Sequence, residues 1–296
     1  MGYVFVLLAA VLWGVLGPVS RVALRDGVDP LEIAFWRAAI AGACYGLHAL
    51  AIGGTRVERR DLPAVVGFGL VGVAIFYGAY QLAVRAGGAA LASVLLYTAP
   101  VWVAIFSALF LRERMTGRKL LAVALAIAGV AGIAVAGGGA GGVRLSAAAL
   151  FWGLLSGWTY ALYYLFGKRY FDRYHTATLF LYALPIGALA LLPFVRFSPK
   201  TGAAWAAIVF LAVVPTYASY LLYSAGLRRI EATRAATVAT LEPVVAAIVA
   251  YFAWNERMGT VGYLFAGLVV IAVVLMVTGD QGAKEHSTTE GMEAHP

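Results

Sequence analysis

Residues 77–115 read YGAYQLAVRAGGAALASVLLYTAPVWVAIFSALFLRERM, and residues 220–258 read YLLYSAGLRRIEATRAATVATLEPVVAAIVAYFAWNERM. Laid over one another without a gap, 143 positions apart, the two stretches agree at Tyr77 and Tyr220, Tyr80 and Tyr223, Arg85 and Arg228, and Pro100 and Pro243. The agreement closes on Glu113, Arg114 and Met115 over Glu256, Arg257 and Met258. A period near half the chain length means two similar halves, not a stack of short units.

Composition says what each half is made of. Hydrophobic residues make up 62% of the chain and charged ones 12%, against about 25% charged in soluble domains. The chain therefore reads as an integral membrane protein, all-α and polytopic. A span takes about 20 mainly apolar residues, and ten such stretches occur, near 3–23, 31–52, 63–84, 88–111, 117–137, 146–168, 175–195, 203–227, 232–254 and 259–279. The gaps between them are too short for a soluble domain. The first stretch has no basic leader and stays apolar to about residue 23, so it reads as a span, not a signal peptide. Residues 1–140 and 141–279 then hold five transmembrane helices each, and residues 280–296 form a polar tail expected to be disordered. Five is odd. The second copy must enter the membrane from the opposite side, which gives two inverted five-helix repeats.

A net charge of +8 would suggest nucleic acid as the partner of a soluble protein. Here the Lys and Arg residues lie in the gaps between apolar runs, so the charge reads as topology and no nucleic acid is expected. With the N-terminus cytoplasmic, fourteen basic residues fall on the inside, seven fall outside, and Arg37 lies within a span. The bias implies that both termini are cytoplasmic in a multi-pass protein of the cell inner (plasma) membrane. Cys44 is the one cysteine, which excludes an intrachain disulfide and a Cys-based metal cluster. His48, His175, His286 and His295 show no metal-ligand spacing, and neither a GxSxG elbow nor a mid-membrane carboxylate pair occurs. The glycine cluster of residues 137–142 lacks the Lys and Ser/Thr of a phosphate loop and reads as a turn. No catalytic residue, metal or cofactor is expected.

Helical spacing gathers polar side chains into stripes. On the third span Tyr77, Tyr80 and Gln81 share a face, and on the eighth Tyr217, Tyr220, Tyr223 and Ser224 do so. An aromatic belt at the membrane interface is the other reading, but Tyr77 and Tyr217 fall halfway along their spans, where a hydroxyl needs a partner or water. On the first span Trp13, Gly17 and Ser20 form a stripe. Its mate on the sixth runs through Trp152, Ser156, Thr159 and Tyr163, 139 positions on. Close helix packing would use the same residue types. Pro100 and Pro243 interrupt matched helices, as do Pro185 and Pro215. The first two would release the carbonyls of Leu96 and Ala239, as acceptors for an ammonium group or as plain kinks. Glu242 is the one carboxylate near the middle of a span, a functional candidate by default. The wheel sets it about 180° from Thr233, while Thr240 aligns with Tyr97, which shares a face with Ser93. The stripe of Thr233, Thr237 and Thr240 is therefore placed inside. Glu242 is turned away, to close a buried network with Arg37, and coupling to protons is expected to be weak.

The spacing of Pro30 and Arg37, the Tyr-rich third span running into Arg85, and Pro100 followed thirteen residues later by Glu113 and Arg114 resemble the EamA branch of the drug/metabolite transporter superfamily. Leu241, Glu242 and Pro243 repeat the pattern, and the resemblance covers nearly all of residues 3–279. Within that branch the aromatic interior is most similar to bacterial aromatic amino-acid exporters of the YddG type. The resemblance implies alternating access and export from the cytoplasm. The residues themselves suit a net-neutral zwitterion, since the cavity expected lacks Asp and Lys, and aromatic faces can take a ring or an aliphatic chain. Amino acids, aromatic and other neutral ones, are thus the expected substrates, and the lipid bilayer is the one other partner of a monomeric chain. Export of drugs or other small metabolites is the nearest alternative. A lipid-head-group flippase ranks after it for want of a cationic head-group site. Reporter fusions after Gly53 and after Gln281 should both read cytoplasmic; a periplasmic signal at either would overturn the assigned topology.

Overall fold

A computed structural model of the chain describes residues 1–137, 146–255 and 259–293, and among these no strand occurs. The long helices are α1 (Gly2–Arg25), α2 (Pro30–Ala51), α3 (Leu62–Gly87), α4 (Leu91–Phe110), α5 (Gly117–Ala136), α6 (Ala147–Tyr170), α7 (Thr176–Phe194), α8 (Gly202–Leu227), α9 (Ala232–Ala253) and α10 (Thr260–Glu293). Among the described residues, nine are long and apolar enough to cross a membrane. The tenth, α6, is 24 residues long but carries Ser156, Thr159 and several tyrosines, and it hides these by packing among the other helices. Helix starts are written in the sequence: Asp29 accepts from the Leu31 N–H (2.8 Å) ahead of Pro30, Ser146 from Ala149 (3.1 Å) and Thr201 from Ala204 (3.1 Å). His175 caps α7 through Nδ1, at the place in the second half that Asp29 holds in the first.

Polar contacts between loops sort the helix ends into two groups. At the Met1 end, Asp61 meets Arg173 and Tyr174, Lys119 meets Glu231 at 2.8 Å, and Arg234 donates to the Tyr3 hydroxyl at 3.0 Å. Glu113 accepts there from the Ala232 N–H at 2.6 Å and from the Thr233 hydroxyl at 2.8 Å, capping α9. At the opposite end, Arg85 pairs with Asp29 at 2.6 Å, Thr201 donates to Asp26, and Lys200 pairs with Glu32. The first half therefore starts at the Met1 end and the second at the other, as inversion requires. The helices pair across the halves, α3 along α6, α8 along α1, α2 along α7 and α5 along α10.

Irregularities repeat as well. The helical run of α4 breaks at Tyr97 and Thr98, and that of α9 at Thr240 and Leu241, 143 positions on. Pro100 and Pro243 each stand second in the helix that restarts, where the missing N–H belongs to the unpaired first turn. They begin helices more than they kink them. The Leu96 carbonyl points at α6, where a Cβ on Gly157 would lie 3.1 Å from it. Wider i→i+5 turns occupy Gly69–Ile75 in α3 and Val213–Ala218 in α8, and Pro215 lies in the latter. Pro185 interrupts nothing: α7 runs through it, and Gly42 of α2 leaves room for its ring. The expected boundary after residue 140, the glycine cluster from Gly138 onward, and Glu256, Arg257 and Met258 lie outside the described residues. Helix α10 continues past Thr278 to Glu293, taking in most of the polar tail, whose first proline is Pro296 and whose Ala, Lys and Glu residues favour helix.

Helices α5 and α10 cross at glycines. A Cβ on Gly129 would sit 2.8 Å from the Phe265 carbonyl oxygen and 2.6 Å from a Val269 methyl, and backbone cannot swing aside. Gly129→Val should cost about 1–3 kcal/mol by overpacking and lower the melting temperature in detergent. Gly78→Ala, with nothing within 4 Å, should leave it unchanged.

Candidate functional site

A cavity of about 800 Å³ lies between the two halves. Its walls are Trp13, Gly17 and Ser20 of α1, Arg37 of α2, Phe76, Tyr77, Tyr80 and Gln81 of α3, Ser93 and Tyr97 of α4, Tyr160 of α6, Tyr220 of α8 and Glu242 of α9. Arg21, Leu24, Pro30, Val84 and Ala250 continue it toward the end opposite Met1. It opens there. Below it, toward Met1, the buried rings of Tyr163, Tyr223, Phe180, Tyr45 and Phe68 form a floor. Tyr163 lies 5.5 Å from Tyr220 and 5.3 Å from Tyr223, Phe180 lies 5.2 Å from Tyr220, and Phe68 stacks on Phe166 at 4.1 Å. Such stacked rings exclude water, and the polar layer of Asp61, Glu113, Lys119 and Glu231 closes the same end beyond them.

Tyr77 and Tyr220 are repeat mates, and their hydroxyls approach to 3.3 Å. Two symmetry-related residues can touch only near the axis that relates the halves, so this pair marks the axis within the cavity. From that point inversion decides what lines the space. Residues running outward from the centre along α1 and α3 face the opening. Their mates on α6 and α8 run toward the closed end.

This explains which expected residues come together. Trp13, Ser20, Tyr77, Tyr80, Gln81, Tyr97, Tyr220 and Pro243 line the cavity. Ser156, Thr159, Ser224 and Thr240 do not: each is buried and donates to a backbone carbonyl of its own helix. Tyr163 lies in the floor, and its hydroxyl, like that of Tyr223, has no hydrogen-bond partner. Tyr217 points to α2, where its hydroxyl meets His48 Nδ1 at 2.8 Å. Pro100 belongs to the closed half and stays buried.

Glu242 needs a correction. It lines the cavity, facing Tyr97, while Thr233 and Thr237 are packed away with Thr240. The wheel drawn from Thr233 does not carry through the break at Thr240 and Leu241, so the helix restarts at a new angle at Glu242. The argument for weak proton coupling rested on that wheel and falls with it. Arg37 does not close a network with Glu242 either. Its Nε and Nη2 donate to the Thr216 hydroxyl at 3.3 and 3.2 Å, and its guanidinium lies 5.3 Å from the Tyr77 ring centre. Tyr160 and Phe76, stacked at 5.2 Å, were not singled out by pattern, although Tyr160 lies directly beside the chosen stripe of α6. Among the described residues no group of His, Cys, Asp and Glu could hold a metal ion.

An apolar shell, an inverted repeat and a central cavity open at one end define the class of polytopic membrane carriers. The profile of the EamA-like transporter family matches residues 1–135 and again residues 147–278, so the chain belongs to that family, with one copy in each half. It is 30% identical over 280 residues to an uncharacterized transporter of Archaeoglobus fulgidus, covering 93% of this chain and 95% of that one. It is 28% identical over 293 residues to a probable terminal-alkyne amino-acid exporter of Streptantibioticus cattleyicolor, covering 96% of each. An uncharacterized inner membrane transporter of Salmonella typhimurium is 26% identical, with 93% and 94% covered. A solved structure of 21% identity superposes with a TM-score of 0.80 over 93% of this chain and 95% of its own, which shows the fold.

The closed end has a testable electrostatic element. Tyr174 donates to Asp61 at 2.6 Å and Arg173 stands 2.8 Å away, and these partners hold the Asp61 carboxyl below its ordinary value of 3.8. A depressed acid stabilises the fold above its unfolded-state value and loses that contribution as pH falls through the folded one. Asp61→Asn should therefore melt below the wild type at pH 6. The gap should close as pH falls below 3.8.

Proposed function

We propose that this transporter exports neutral amino acids, aromatic ones among them, from the cytoplasm by alternating access. The observation that carries the reading is the cavity wall: Trp13, Phe76, Tyr77, Tyr80, Tyr97, Tyr160 and Tyr220 present ring faces and hydroxyls around about 800 Å³, a volume that suits a small amphipathic molecule. The relative named as an amino-acid exporter lends support to the substrate class and the direction. With both termini in the cytoplasm, as the basic residues imply, the cavity faces outward and this is the state that releases cargo. The aromatic floor and the polar layer beneath it part in the other state. Transport needs one chain in the bilayer, because the cavity is enclosed by its own two halves.

The test is counterflow in proteoliposomes holding only this protein, with labelled amino acids, nucleosides and organic cations. Amino acids should exchange and the other two classes should not; exchange of cations or nucleosides alone would overturn the reading. Tyr77→Ala should lower kcat/KM about tenfold, the equivalent of about 1.4 kcal/mol, and leave the melting temperature within a few degrees. A variant that unfolds would mean that Tyr77 is there for packing.

A further inference from the structure

Arg37 and Glu242 stand in the wall of one cavity, contributed by different halves. Neither finds an ion partner within 4.0 Å among the described residues. Arg37 is 9% exposed, and its printed contacts are neutral: the Thr216 hydroxyl takes two of its donors and the Tyr77 ring lies beneath it. A guanidinium has five N–H donors in a planar fork that matches a carboxylate, so donors remain for the cavity. Glu242 opens the second segment of α9, where the helix dipole favours an anion, and faces the Tyr97 hydroxyl. Ala246, Ala247 and Ala250 leave open space beyond it along the same helix. The two charges do not meet as an ion pair, yet the field of Arg37 reaches the Glu242 carboxylate.

Unpaired charges inside a membrane protein are costly and are kept for function. We propose that Arg37 and Glu242 are the two arms of a clamp for one zwitterion, with Arg37 taking the carboxylate of an α-amino acid and Glu242 its ammonium group. This rests on the amino-acid reading above and assigns its head-group contacts. A zwitterion supplies both countercharges in one step. An amine leaves Arg37 bare, and a carboxylic acid leaves Glu242 bare. The head group, with a hydrogen bond at each side, spans roughly 7–8 Å, which fits two groups held apart but within each other's field. The side chain then lies among Trp13, Tyr77 and Tyr220.

Binding to the purified full-length protein in detergent, measured by titration calorimetry, tests this with three ligands: phenylalanine, phenylpropionate, which lacks the ammonium, and phenethylamine, which lacks the carboxylate. In the unmodified protein both analogues should bind roughly 10- to 100-fold more weakly than phenylalanine, the range for losing a charge-assisted contact. Glu242→Gln should weaken phenylalanine by that factor and leave phenylpropionate unchanged. Arg37→Gln should weaken phenylalanine and leave phenethylamine unchanged. The ligand series in the unmodified protein needs no variant to fold. If phenylalanine binds but each variant weakens acid, amine and amino acid alike, or neither variant weakens phenylalanine, the clamp is wrong and the carrier reading stands. If phenylalanine does not bind at all, the carrier reading fails and takes the clamp with it.

Discussion

Lipid offers no hydrogen bonds, so every backbone group at membrane depth must be satisfied by the chain itself or by water that the chain admits. That constraint fixes where this fold can depart from helix. Both breaks, at Tyr97 and Thr98 and at Thr240 and Leu241, stand midway along their spans, and both border the interface between the halves. The first is capped locally, with the Thr98 hydroxyl donating to the Leu95 carbonyl at 2.6 Å, and it brings Tyr97 to the cavity. The second does the same for Glu242. Irregular backbone and aqueous space thus occur together because neither is tolerable without the other.

The cavity and its floor are one set of side chains divided by symmetry. Tyr77 and Tyr220 meet at the axis, and on either side of it equivalent positions meet opposite fates, wet on one side and sealed on the other. The sealed side carries a polar cost. The hydroxyls of Tyr163 and Tyr223, the Trp102 ring N–H and the Ser107 hydroxyl are buried without partners, and a buried orphan of this kind costs about 1–3 kcal/mol. Water entering from the Met1 end would satisfy them. The present state therefore holds a driving force toward its counterpart, opposed by stacked rings and by the polar contacts of Asp61, Glu113 and Lys119.

Much of the fold was legible because its signals are local or additive. Hydropathy located the spans, and a gapless match of Tyr, Arg and Pro located the halves. The family profile finds the same two copies. α6 tested the method, since its buried serine, threonine and tyrosines lower its hydropathy while its length still spans. The cavity was legible only in part, for a reason of principle. A sequence describes both halves alike, whereas one conformation treats them unequally, so Ser156, Thr159, Tyr163, Ser224 and Thr240 qualified on pattern and lie in the closed half. Glu242 misled for a different reason. A helical wheel assumes one continuous screw, and two residues of turn are enough to reset it. Where a proline follows a threonine or glutamate in mid-span, each side of the break needs its own wheel.

The wider turns of α3 and α8 also record a history. Gly69–Ile75 and Val213–Ala218 end at equivalent positions, and each inserts an i→i+5 turn into the third helix of its half. One insertion copied is simpler than two made alike. The turn is then older than the duplication, in a single five-helix protein that had no second half. Such a protein could bury its interface only against another copy of itself, and inversion requires that copy to lie upside down in the bilayer. One gene product had to insert both ways, which demands an even spread of Lys and Arg between its two sides. The fourteen-to-seven division in this chain is what fusion later allowed, once each half needed only one orientation.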